Sequence, residues 1–218
     1  MVLQALRAAP EDFRTLADIH ADAFKDNPLN LLMYPNKVTP ASLEASFQRM
    51  KLHHKDPSTH FVKAVDTETG EITGVARWNV YLSGRPQEEL DAPTVQIPKS
   101  PDANAELIGE VIDVLEKTRK ETMGRRPHCS LNLLAVSPKH QRRGAGAVLV
   151  KYGTDIADKE NIEAYLESTQ DGYSLYKRTG FQDRGFVELD VSKWSGVASD
   201  IRRFPQMIRP AQGESQSN

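Results

Sequence analysis

The chain has 218 residues, with 28 Lys and Arg against 30 Asp and Glu, so its formal net charge is −2. That length can bury one well-packed core, and so balanced a charge supplies no global basic field for sequence-independent nucleic-acid binding. Cys129 is the single cysteine, which excludes an internal disulfide and suits a reducing compartment.

The N-terminal stretch MVLQALRAAPEDF lacks the apolar core of a signal peptide, and no apolar run exceeds a few residues. A cytoplasmic protein with no membrane partner is therefore expected. Residues 2–8 read as a strand. Pro10, followed by Glu11 and Asp12, opens a helix to about Lys25 whose apolar residues Phe13, Leu16, Ile19 and Phe24 keep helical spacing. The segment DNPLNLLMYPN is broken by its prolines into a loop, and its bulky Met33 and Tyr34 are placed to wall a pocket. A second helix is predicted over 40–54, and 60–66 with 72–82 form a hairpin turned by TETGE.

Residues 83–100, rich in Pro and charge, read as an ordered loop or a flap. The stretch 101–124 is a helix with Leu107, Ile108, Val111, Ile112 and Leu115 on one face and Gly124 as its stop. Strands follow at LNLLAV (131–136), IEAYLEST (162–169), FVELDV (186–191) and PQMIRP (205–210), with helices at 145–159 and around Tyr176. One domain over 1–211 is expected, and the polar tail 212–218 has nothing to bury and should fray. Cys129, with only His128 beside it as a basic neighbour, reads as a small buried residue rather than a nucleophile.

The most informative segment is LNLLAVSPKHQRRGAG. An apolar strand leaves through a Pro-containing turn, meets a basic stretch, and enters a helix through two glycines. The first N–H groups of a helix have no intrahelical partner and lie at the positive end of its dipole, which suits phosphate oxygens. Gly144 and Gly146 let an anion approach the main chain closely, while Arg142 and Arg143 can add charge-assisted bonds to a diphosphate. A dinucleotide fingerprint, with Glu163 or Glu167 as the ribose partner, fits less well. SPKHQRR separates Val136 from the first Gly, and Leu149 replaces the third. A nucleotide-triphosphatase loop is excluded because no Gly-Lys-Ser/Thr follows.

QRRGAG fits the Q/R-x-x-G-x-G/A signature of the GNAT superfamily of acetyltransferases, and YSLYKRTGF (173–181) matches that family's later helix, which ends in Gly-Phe with a Tyr four residues before the Gly. The chain resembles that family. The resemblance implies an α/β fold: a central mixed, mostly antiparallel sheet of about six or seven strands, splayed between the fourth and fifth and flanked by helices. The helix before the fourth strand is extra to the minimal plan and is expected near the acceptor side.

By the same resemblance acetyl-coenzyme A is the co-substrate and no metal is needed. The pantetheine arm would lie in the splay against the main chain of Leu134, Ala135 and Val136. Gln141, Arg142, Arg143, Gly144, Ala145 and Gly146 would hold the pyrophosphate. Ser168 and Thr169 stand where many members have an Asn that contacts the arm. Tyr176 matches the family Tyr that protonates the leaving thiolate, and an N–H of Leu134 or Ala135 would meet the oxyanion. An unperturbed alkyl ammonium has a pKa of roughly 10 and needs a base near neutral pH; Glu167 on the fifth strand is the first candidate, with His128 behind it. Met33, Tyr34, Trp78, Tyr81 and Tyr173 are candidates to line the acceptor pocket. The implied reaction is direct attack by a small-molecule amine in a ternary complex; a homodimer is left open. The alternative is a non-catalytic module that binds acyl-coenzyme A.

Overall fold

The computed structural model describes residues 2–92 and 100–213. Strand β1 (Leu3–Arg7) leads through a 3-10 turn at Pro10–Asp12 into helix α1 (Phe13–Phe24). The Asp12 carboxylate accepts the Ala9 N–H at 2.8 Å and pairs with Lys63 at 2.7 Å, tying the turn to the sheet. The segment expected as a proline-broken loop instead holds a short helix, α2 (Pro28–Met33). Asn27 explains it: its side chain accepts the N–H groups of Leu29 and Asn30 at 3.0 and 3.2 Å, and Pro28 starts a helix where its missing N–H is not needed. Helix α3 (Pro40–His53) is capped by Thr39 in the same manner.

Strands β2 (Thr59–Asp66) and β3 (Ile72–Tyr81) form the expected antiparallel hairpin. The stretch read as a loop or flap contains a short helix, α4 (Gln87–Asp91), and its residues 93–99 lie outside the described residues. Helix α5 (Ala105–Met123) starts where the Asn104 side chain accepts the Leu107 N–H at 3.1 Å and ends at Gly124, whose φ is +53°. Next come β4 (His128–Val136), α6 (Ala145–Glu160), β5 (Glu163–Glu167), α7 (Gln170–Arg178), β6 (Gln182–Asp190), α8 (Ser192–Ser195) and β7 (Ile201–Arg209). Gly213 still donates its N–H to Asn161 at 2.7 Å, and the remainder of the expected tail, 214–218, lies outside the described residues.

The seven strands make one mixed sheet in the order β1-β2-β3-β4-β5-β7-β6. β4 and β5 are parallel, and every other neighbouring pair is antiparallel. On one face α6 lies over β1 to β4, around Trp78, Leu131, Leu149 and Leu166. On the other face α1 and α3 cover Phe61, Val75 and Ala135. Helix α5, the insertion ahead of β4, joins α2, β6 and β7 in a third apolar cluster around Leu107, Leu189 and Val191. Among the described residues no helix is long and apolar enough to cross a membrane.

The α6 contact depends on Gly153. Trp78 is fully enclosed and donates its indole N–H to the Leu149 carbonyl at 3.1 Å, and a Cβ at Gly153 would come within 2.3 Å of its ring. Gly153→Ala should therefore destabilise the protein by about 1–3 kcal/mol through overpacking, although it raises helix propensity. Urea unfolding of both forms checks this; an unchanged or raised midpoint would show that α6 does not seat on the indole.

Candidate active site

The site begins where the sheet stops pairing. β5 bonds β4 only from His128 to Leu131, opposite Glu163 to Leu166, while β4 runs on to Val136 with β3 as its sole partner. A bulge opposite Arg77 and Trp78 leaves Asn132 without a Cα partner on β3 at the point where the strands part. Past that point main-chain groups alternate in direction. The Ser137 N–H bonds back to the Thr73 carbonyl on β3 at 3.0 Å. Alternation then turns Ala135 toward β3 and aims the N–H and C=O of Leu134 and Val136 into the gap. The Gln141 side chain reaches the Val136 carbonyl from the gap side at 3.3 Å.

The chain leaves β4 through a 3-10 turn at Pro138–His140 and enters α6 through Gln141, Arg142 and Arg143. Arg142 takes a φ of +61° and Gly144 one of +97°, left-handed values that Gly accepts freely and Arg only under constraint. No side chain caps α6. Its first helical bond runs from the Val148 N–H to the Gly144 carbonyl at 3.2 Å, so the preceding N–H groups have no intrahelical acceptor. They open on a cleft of about 1210 Å³ whose walls include Leu134, Ala135, Val136, Gln141, Arg142, Gly144, Gly146, Ala147 and Thr169. At Gly146 a Cβ would sit 3.0 Å from the Leu175 side chain and narrow that opening. Two residues of the expected set stand apart: Arg143 is exposed and not part of the cleft wall, and the Ala145 side chain points into the core.

Tyr176 also walls the cleft. Side chains on a helix lean toward its N-terminus, and here the ring lies back over Gly172, where a Cβ would come within 2.7 Å of it. Phe181 supports the ring edge-on at 6.0 Å. Burial raises the Tyr176 hydroxyl above the usual phenol range, so it stays protonated near neutrality.

The other expected residues separate. Glu167 ends β5 beside the gap, but both its oxygens accept from Arg119 of α5, at 2.8 to 3.1 Å. His128 sits at the opposite end of β4, its Nδ1 2.7 Å from the Arg126 carbonyl and its ring against Tyr81; burial lowers its pKa. Ser168 is buried and its hydroxyl bonds the Thr169 carbonyl at 2.6 Å, whereas Thr169 caps α7 at the cleft. Trp78 is no pocket residue: strand alternation turns it into the α6 core. Met33 packs in the α2–α5 cluster, Tyr34 is half-buried after α2, and Tyr173 donates to Asp183 at 2.9 Å. Burial pushes the enclosed Cys129 thiol up to about 12, which makes it inert.

Three cations and one neutral histidine near the site carry little signal in the sequence. Lys25 and Arg178 stand on the cleft wall, and their signal was only their position just past α1 and at the end of α7. His20 continues the α1 stripe of Phe13, Leu16 and Ala17 toward Ala23 and Phe24, which reach the cleft. Arg77 lies on β3, on the face shared with Val75. Burial, then Arg49 and Arg77, hold His20 at about 4; burial, then Arg77, hold His53 at about 3.

A family model described as the acetyltransferase (GNAT) family matches residues 16–181. The chain is 33% identical over 61 residues to the probable acyltransferase SID5 of Ajellomyces capsulatus, a match covering 28% of this chain and 45% of that relative. Among solved structures, a histone acetyltransferase HPA2 and related acetyltransferase from Corynebacterium glutamicum superposes with a TM-score of 0.61 at 24% identity, covering 100% of both chains. A phosphinothricin acetyltransferase from Sinorhizobium meliloti in complex with AcCoA gives 0.58 at 12% identity, over 100% of this chain and 95% of the other.

The two histidines set an acid limit on the fold. Their folded pKa values lie below the unfolded 6.5, so their contribution to stability is complete above about pH 6.5 and is lost as pH falls through the folded values. Melting temperature should drop between pH 6.5 and 4, and a His20→Gln/His53→Gln double variant should show a flatter acid limb. An unchanged slope in that variant would mean that neither ring is held neutral by the fold.

Proposed function

The chain belongs to the acetyltransferase (GNAT) family, and we propose that it moves an acetyl group from acetyl-coenzyme A to the amine of a small-molecule acceptor by direct attack in a ternary complex. The observation that carries this reading is the continuity of one cleft. It runs from the open edge of β4, past Tyr176, to the uncapped start of α6. That sequence of surfaces fits an extended amide-bearing arm ending in a diphosphate. An open strand edge takes an added strand of amides, and free helix N–H groups take the anion. The AcCoA complex of the Sinorhizobium meliloti neighbour supports the same ligand class.

In this reading Leu134 and Val136 bond the arm through main-chain groups, with Ala135 forming the strand between them. Gln141, Arg142 and the N–H groups leading into Gly146 hold the pyrophosphate, with Arg178 and Lys25 adding positive charge at the wall. The Leu134 N–H faces the oxygen that gains charge as the amine adds to the thioester carbon. The C–S bond then breaks, and Tyr176 gives its proton to the departing sulfur. A base must first take the proton of the acceptor ammonium. Glu167 holds Arg119 through both oxygens, so we give it a positioning role. His20 does not wall the cleft and, held at about 4, is too weak a base to draw a proton from an ammonium, so a water relay takes that proton.

Two measurements test these assignments. An Arg142→Glu/Gly146→Val variant should lose at least about 100-fold in acetyl-coenzyme A affinity by titration calorimetry, while Arg143→Glu changes it little; equal affinity in all forms would remove the pyrophosphate site.

Steady-state kinetics test the proton transfers. Tyr176→Phe should lower kcat by roughly 10²–10⁴-fold with coenzyme affinity kept. His20→Gln should leave kcat within about twofold of wild type near neutral pH, and a deficit that shrinks as pH rises toward the amine's own pKa would give the base role to His20 instead. Coenzyme binding with no thiol release on any amine would instead favour a non-catalytic acyl-coenzyme A module.

A further inference from the structure

Arg77 is the residue that the proposed chemistry leaves unexplained. It projects from β3 on the face shared with Val75, the face covered by α1 and α3. Among the described residues its guanidinium makes no hydrogen bond or ion pair, and its Nε is enclosed with no partner at all. Nearby carboxylates are committed elsewhere. Glu116 pairs with Arg85 at 2.5 Å, Glu167 with Arg119 at 2.8 Å, and Asp56 accepts from Ser58 at 2.8 Å and from Asn79. Burying a charge without a counter-ion is costly, and a second guanidinium, Arg119, adds to the positive field around Arg77. A fold that keeps such a cation in place has a use for an anion there.

The position says which anion. In register Arg77 sits opposite Leu133, the residue before Leu134 at the open edge, and neighbouring strands lie about 4.8 Å apart. An anion on Arg77 would therefore lie one strand away from the open edge of β4, along which the proposed arm runs. The adjoining strand positions are polar: Ser130 donates to Asn132 at 2.8 Å, and Asn132 donates to Asn79 at 2.6 Å. A guanidinium is a planar fork that matches a carboxylate through two parallel bonds.

We infer that Arg77 anchors a carboxylate of the acceptor, so that the substrate is an amino acid or another amine that carries a carboxylate. The inference rests on the acetyltransferase reading and deepens it by naming the substrate class. Burial first, and then nearby guanidinium groups that include Arg77, keep His20 and His53 neutral, so neither ring adds a cation beside Arg77.

The test compares matched amines with and without the carboxylate: ornithine with putrescine, phenylalanine with phenethylamine, and tryptophan with tryptamine. Binding is read by thermal shift in the presence of coenzyme A, and turnover with acetyl-coenzyme A. At least one carboxylate-bearing member should be preferred over its partner by about 100-fold. Arg77→Met should level that pair, leave coenzyme affinity within about twofold, and melt no lower than wild type, because it removes an unpaired buried charge. Arg77→Lys, which keeps the charge but not the fork, should recover only part of the preference. Equal binding of both members, binding of none of the carboxylate-bearing amines, or a preference that survives Arg77→Met would overturn the anchor. Failure of wild type to bind acetyl-coenzyme A would instead overturn the acetyltransferase reading.

Discussion

Everything in this molecule is arranged around a strand that loses its neighbour halfway along. Unpaired main-chain N–H and C=O groups inside a sheet must find partners in water or ligand, and β4 carries such a row from the point where its pairing with β5 ends at Leu131. Closing the gap would require β5 to continue alongside β4. Instead Ser168 bonds the Pro205 carbonyl on β7 and Thr169 caps α7, so the chain turns away. The same turn places Tyr176 on the cleft wall, and the exit from β4 places the start of α6 there as well. One interruption in a ladder thus supplies the slot, the uncapped helix start at its end and the hydroxyl beside it.

The two faces of the sheet divide the remaining work. Toward α6 the strands offer Trp78, Cys129, Leu131 and Leu166, which form a dry layer with Leu149 and Val150. A rigid layer of this kind fixes where α6 begins, and therefore where its free N–H groups point. Toward α1 and α3 an apolar patch around Phe13, Phe61 and Val75 gives way along β3 to Arg77 and Asn79. Strand alternation allows this: each β3 residue answers to one face only, so Arg77 lies between the core residues Ala76 and Trp78 without entering their layer.

Legibility in the sequence followed the distance over which each feature is built. The turn into α6 was readable because strand, turn, glycines and helix start lie within a short run from Leu131 to Gly146. The hairpin, the capped α5 and the order of elements were readable from periodicity and from stop residues such as Gly124. Helix α2 is hidden in the sequence because prolines ordinarily break helices, whereas Pro28 behind the Asn27 cap begins one. The place of Trp78 in the core is not legible locally, because which face it shows depends on α6, and the Gly153 that receives it lies far along the chain. The Glu167 carboxylate looked free until Arg119, 48 residues earlier, proved to hold it. Arg77 gave no signal, since an Arg at an alternating strand position reads as a solvent-facing residue.

The balance of charges supplies no global basic field and says nothing of the site. A net charge of −2 is an average over 28 basic and 30 acidic side chains, and much of it cancels in local pairs such as Arg14 with Glu44 and Arg203 with Glu188. Exposed pairs of that kind contribute little to stability and are screened by salt. In a partly buried site screening is weak, and the few uncancelled cations shape the field that a small molecule meets. In the reading proposed above, the sign that matters for recognition is therefore set by a few unmatched side chains, Arg77 among them. Alternation on β3 turns Arg77 toward α1 and α3, and pairing elsewhere has taken the carboxylates that could have neutralised it.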